Sequence, residues 1–220
     1  MGDLEINNYR NELYRRKIRE SISDGSLEWG DIAGSAENNW HRQQAVSDFF
    51  IPKLTKSSKF LDLGCGSLTS CKPIIDFLDN GNYYGLELIP ELLFFGVEYL
   101  EKHHPETYKK LNVDHLIVGD DFPVLSYGVR FDLIVALSVF THATRVEFQA
   151  CIAKISQCLA PGGQFYFTFV SQKQLNFNPR AFYELKEDTP HNLSIQYIGT
   201  WTNLNFTLGN QQMARVSRKF

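Results

Sequence analysis

The 220 residues carry 22 Lys plus Arg against 25 Asp plus Glu, a net charge of -3, with 43% hydrophobic residues and a high aromatic share of 14%. At roughly 100–200 residues per domain, that length allows one domain with at most a modest appendage. The composition excludes a disordered or fibrous chain, the acidic balance disfavours a duplex nucleic-acid binder, and no run reaches the 18 or so apolar residues of a membrane span.

The N-terminal stretch MGDLEINNYRNELYRRK has no apolar core of a signal peptide, so a cytoplasmic protein is expected. Cys65, Cys71, Cys151 and Cys158 form no Cys-x-x-Cys pair and no Cys/His cluster of zinc-ligand spacing, so neither structural disulfides nor a structural zinc site is expected.

Along the chain, Tyr14, Ile18 and Ile22 recur every four residues within 4–22, an amphipathic helix pattern. The Gly-, Ser- and Asn-rich stretch SDGSLEWGDIAGSAENN reads as loop, and a second helix is expected from about Trp40 to Leu54. KFLDLG (59–64) then reads as a first strand, and Cys71, Ile74, Ile75 and Leu78 follow the spacing of a buried helix face. NYYGLEL (82–88) gives a second strand, and Pro90 opens a helix through about His103, because proline is well tolerated in a first turn. HLIVGD (115–120) and FDLIVALS (131–138) are the third and fourth strands. Phe148, Cys151, Ile152, Ile155 and Leu159 make the next helix face, which Thr144 and Glu147 would open as a capping box. LAPGG stops that helix and leads into a fifth strand, GQFYFTFV (163–170).

Strands alternating with helices imply βαβ units and a parallel sheet. After a polar stretch with a helix expected around 179–186, SIQYIGTW (194–201) and QQMARVSRK (211–219) have no helix between them, so they can pair antiparallel at an edge. The fold expected is therefore α/β and doubly wound, a mostly parallel seven-stranded sheet with an antiparallel edge.

Ligands of such sheets bind beyond the carboxyl ends of the strands, where the strand order reverses. The turn after the first strand reads Asp62-Leu63-Gly64-Cys65-Gly66-Ser67-Leu68, and its two glycines allow close backbone approach to a ligand. Glu87 ends the second strand 23 residues beyond Gly64, where a carboxylate can accept from ribose hydroxyls. A dinucleotide fingerprint would need a third glycine at Thr69, whereas S-adenosylmethionine brings an amine suited to a carboxylate such as Asp62.

The ordered set LDLGCG, YYGLEL, VGDDF, FDLIVALSVFTH and LAPGGQFYFTF resembles a class I S-adenosylmethionine-dependent methyltransferase over roughly residues 40–170. More narrowly, GCGSL, LDNGNYYGLE, SVFTH and YIGTW followed by Gln-Met resemble a bacterial group linked to surface-glycan or small-molecule methylation. The chain departs from the class at Leu68, where many members have a third glycine, and from the narrower group at Thr69-Ser70-Cys71, where an Arg-Gly-Gly stretch is common.

The resemblance implies that Asp62, Gly64, Cys65 and Gly66 hold the methionine end of the cofactor and Glu87 its ribose. By the same resemblance Leu88 packs on adenine, Asp120 or Asp121 accepts from its amine, the backbone of Phe122 reads a ring nitrogen, and Leu137 and Ser138 line the floor. Gln44 lies on the helix entering the fold, where the narrower group tends to have a glutamine facing the cofactor. His142, just beyond the fourth strand, is the candidate base, since an imidazole titrates near neutrality. No metal is expected, because no carboxylate follows the fourth strand before Glu147.

Residues 1–40 would form a helical and loop cap that helps close the site, and 41–220 the cofactor-binding methyltransferase domain. The acceptor expected is a small molecule or glycan, with no nucleic acid and no membrane span. Two rivals remain at this point, a non-catalytic adenosyl-nucleoside binder of the same fold and an NAD(P)-dependent reductase.

Overall fold

A computed structural model describes residue 12 and residues 15–26, 39–140, 143, 145–170, 193–201 and 211–218. The expected helix at 179–186, Thr144 of the capping box and His142 lie outside the described residues.

Five parallel strands run in the order expected of a doubly wound sheet: β1 (Phe60–Leu63), β2 (Tyr83–Glu87), β3 (Leu116–Val118), β4 (Phe131–Ala136) and β5 (Leu159–Val170). The late strands β6 (Leu193–Trp201) and β7 (Gln211–Arg218) add the antiparallel edge, and the full order is β3-β2-β1-β4-β5-β7-β6. The order reverses between β1 and β4, so the switch point lies at the turn after β1.

Helix α1 covers residues 15–23. It is followed by α2 (Asn39–Phe50), α3 (Lys72–Phe77), α4 (Pro90–His103), α5 (Pro105–Tyr108) and α6 (Arg145–Cys158). Alternation along the strands sorts the core into two faces. Leu61, Leu63, Ile134, Ala136, Phe165 and Phe167 pack against Phe148, Cys151, Ile152 and Ile155 of α6. Phe60, Tyr83, Leu133, Val135 and Tyr166 pack on the other face against Val46 and Phe50 of α2, Ile74 and Ile75 of α3, and Leu93 and Leu100 of α4.

The boundaries that differ from expectation have physical causes, one local and one from strand pairing. The expected helix to Leu54 stops at Phe50 and finishes as one tight turn, Ile51–Lys53, because Pro52 has no amide to donate and its ring crowds the preceding turn. β5 begins at Leu159, four residues earlier than expected. Leu159 pairs with Phe131, and the register then shifts before Gln164 pairs with Leu133, so the LAPGG segment is absorbed as a strand irregularity. β4 ends at Ala136 and the chain turns through Ser138 at φ 62°.

All four cysteines are buried free thiols. Burial pushes each of them up, Cys158 to about 12, so none is poised as a nucleophile.

Candidate cofactor site

The turn between β1 and α3 is built by backbone conformation first. Gly64 and Gly66 stand at φ 70° and 56°, in the left-handed region that glycine occupies without steric cost. Gly64 also lies under the loop after β4, where a Cβ would meet the Val139 side chain at 2.5 Å. The amides of Gly64 and Cys65 both donate to the Leu86 carbonyl, at 2.7 and 3.1 Å, which hangs the turn from β2.

Glu87 completes this unit. Its Oε2 accepts the amide of Gly66 at 2.8 Å, and its Oε1 accepts those of Leu88 at 2.9 Å and Ile89 at 3.0 Å. The carboxylate is 7% exposed. Burial pushes its pKa up, and the three amides oppose that shift without cancelling it. A carboxylate offers about four acceptor positions, so three amides leave capacity for a further donor on Oε2.

Asp62 sits beneath the turn and not in its mouth. Its Oδ2 accepts the Tyr83 hydroxyl at 2.8 Å, the Cys71 thiol also bonds to it, and it is 4% exposed. Burial raises its pKa to about 6, against the help of those two donors and with a smaller push from the Glu87 charge. Any contribution to an amine must therefore act chiefly through its field. Cys65 is equally enclosed, its sulfur 2.9 Å from where a Cβ on Gly85 would lie.

The structure brings Gln43, not Gln44, to this turn. Gln43 Nε2 donates to the Thr69 carbonyl at 3.0 Å, whereas Gln44 is exposed and bonds Asp48 one turn along the same helix at 2.7 Å. A sequence signal for this existed: Gln43 stands i, i+3, i+7 with the buried Val46 and Phe50, and Gln44 falls outside that stripe.

Beyond β3, Asp121 pairs with Lys154 at 2.8 Å, and the same ammonium bonds the Asp121 carbonyl. Asp120 is exposed. Phe122 stands at φ 43° and packs against the α6-side core, 6.3 Å ring to ring from Phe140. Leu88 is half-buried beside Ile18, Ile89 and Leu92, and its carbonyl accepts Arg15 Nη2 at 3.2 Å. The floor holds half-buried Leu137 and exposed Ser138, whose amide is fixed by Thr168 Oγ1 at 2.7 Å. Sequence reasoning did not single out Gln43, which lies in no motif, or Val139, Phe140 and Thr168, which lie within SVFTH and LAPGGQFYFTF.

This donor set suits a nucleoside with a zwitterionic tail better than a pyrophosphate. The Gly66 amide, which a dinucleotide site would turn toward phosphate, is taken by a carboxylate, and residues 62–70 contain no Lys or Arg. Among the described residues no group of three His, Cys, Asp or Glu side chains could hold a metal ion.

Comparison with known proteins finds counterparts of this fold. Residues 61–165 match the family model described as a methyltransferase domain. An uncharacterized methyltransferase of Schizosaccharomyces pombe is 25% identical over 127 residues, covering 56% of this chain and 44% of that protein. This chain thus spans less than half the length of that relative. Among solved structures, magnesium protoporphyrin IX methyltransferase from Synechocystis PCC 6803 with bound S-adenosylmethionine superposes with a TM-score of 0.65 at 15% identity, over 93% of this chain and 97% of that one. The glycopeptide N-methyltransferase MtfA complexed with S-adenosylhomocysteine gives 0.62 at 13% identity, over 81% and 90%. The architecture is the Rossmann-like methyltransferase fold. The methyltransferase-domain match falls within that fold, from β1 to β5.

Proposed function

We propose that this protein transfers the methyl group of S-adenosylmethionine to a small-molecule or glycan-type acceptor, without a metal, in the cytoplasm. The observation that carries the reading is the bond from Gly66 to Glu87, which joins the glycine turn and the strand-end acid into one cradle at the switch point. The bacterial glycan-linked resemblance favours the acceptor class, and the net charge of -3 argues against a nucleic-acid substrate. Among the described residues no helix is long and apolar enough to cross a membrane.

Bound S-adenosylmethionine supplies an electrophilic methyl for in-line displacement, so positioning the acceptor can provide much of the acceleration. Gly64 and Gly66 would hold the methionine end and Glu87 Oε2 a ribose hydroxyl. Leu88 would pack on adenine. Asp120 is the better reader of the adenine amine, because Asp121 is engaged by Lys154. The Phe122 backbone, Leu137 and Ser138 complete the pocket. His142 would remove the acceptor proton where one must be lost. Residues 1–40 would cap the site: Ile18 of α1 packs on Ile89 and Leu92, and Arg19 pairs with Glu91 at 2.5 Å.

Transfer of labelled methyl from S-adenosylmethionine to a panel of small-molecule and saccharide acceptors, with a chelator present, tests this reading. Transfer in the chelator is the expected result. Labelling of nucleic acid alone, or activity restored only by magnesium, would overturn the acceptor or the metal-free part respectively.

A further inference from the structure

The turn after β1 contains one residue that its backbone does not suit. Leu68 stands at φ 63°, where a Cβ crowds the following carbonyl, yet its side chain is fully buried in the core that includes Val46 and Cys71. This is the position at which the class resemblance leads one to expect a third glycine. A strained backbone persists only when its surroundings over-determine it.

Three contacts do so here. On one side, a Cβ built on Gly96 of α4 would fall 2.4 Å from the Ser67 carbonyl oxygen, so the bare helix backbone presses directly on the turn. Between the flanking residues, the Ser67 and Thr69 hydroxyls bond at 2.8 Å in buried surroundings. On the other side, Gln43 Nε2 of α2 holds the Thr69 carbonyl at 3.0 Å.

We propose that Gln43 is a positioning residue for the cofactor, anchoring the chain one residue beyond Leu68 so that the left-handed step cannot relax and the Gly64–Gly66 arch keeps its shape. A glycine at position 68 would need no such anchor, since glycine takes that conformation freely. A leucine does need it, and the two features belong together. The proposal rests on the reading that this turn holds S-adenosylmethionine.

The test is titration calorimetry with S-adenosylhomocysteine on the wild-type, Gln43→Glu and Gln43→Lys proteins, alongside thermal unfolding of each without ligand. Glutamate keeps the shape but faces the carbonyl with an acceptor, whereas lysine keeps a donor. Gln43→Glu should weaken binding about tenfold and Gln43→Lys should stay within about twofold of wild type, while the unfolding temperatures of the ligand-free proteins remain close. Wild-type affinity in Gln43→Glu overturns the positioning role. Should that variant fail to fold, Gln43→Ala should weaken binding by about two- to tenfold, and unchanged affinity there overturns the role equally. A wild-type protein that does not bind S-adenosylhomocysteine overturns the cofactor reading, and the proposal with it.

Discussion

The Gly66 amide reaches the Glu87 carboxylate at 2.8 Å, so the acid at the end of β2 and the turn after β1 are a single mechanical unit. A residue that reads as a ribose ligand in sequence is also the post from which the turn hangs. Substitutions at Glu87 therefore change two things together, and their design has to separate them.

Glu87→Ala would strand three backbone donors and is expected to cost about 3 kcal/mol or more of stability, since bonds to a charged acceptor are the stronger kind. Glu87→Gln is the finer probe. Amides donate to both of its oxygens, so neither orientation of the new side-chain amide avoids a donor facing a donor. We expect Glu87→Gln to unfold at lower temperature and to bind S-adenosylhomocysteine at least about tenfold more weakly. Wild-type values for both in a calorimetric and thermal assay would contradict this geometry.

Asp62 makes stability depend on pH in a definite direction. Its folded pKa of about 6 lies above the ordinary carboxylate value, so between about pH 4 and 6 the folded state binds more protons than the unfolded state. Stability therefore falls as pH rises through that window, by on the order of 2–3 kcal/mol from this group. Glu87 is shifted in the same direction but is present in both proteins of the comparison. The stability difference between wild type and Asp62→Asn, from urea unfolding, should shrink by that amount from pH 4 to pH 7. A difference constant with pH would remove the claim.

Helix α1 rests on the segment after β2 through Ile18, the Arg15 bond to the Leu88 carbonyl, and the Arg19–Glu91 pair. If this is a cap, the amides of residues 15–23 should exchange more slowly when S-adenosylhomocysteine is bound, and Arg19→Glu should diminish that protection. Exchange that is the same with and without ligand would make the helix a fixed appendage.

Much of this architecture was legible because short apolar strands ended in turn residues and alternated with helical spacing. Phe60–Leu63, the Pro90 helix start and the antiparallel tail all followed from that pattern. One misplaced boundary fell where tertiary pairing overrode local chemistry: LAPGG, read as a stop, was drawn into β5 by Phe131. The site was legible as residue types but not as directions. Asp62 and Glu87 both read as ligands, yet β1 alternation puts Asp62 on the face of Tyr83 and Cys71, under the turn. Leu68 was visible as a missing glycine, but its left-handed backbone and the contacts that sustain it arise from α2 and α4, far away in sequence.

The central claim is that the Gly66–Glu87 cradle holds S-adenosylmethionine and not a dinucleotide. Titration calorimetry of the purified protein with S-adenosylhomocysteine and, separately, with NAD tests it most directly. Saturable binding of S-adenosylhomocysteine with no comparable binding of NAD is the predicted result; tighter binding of NAD would contradict the account.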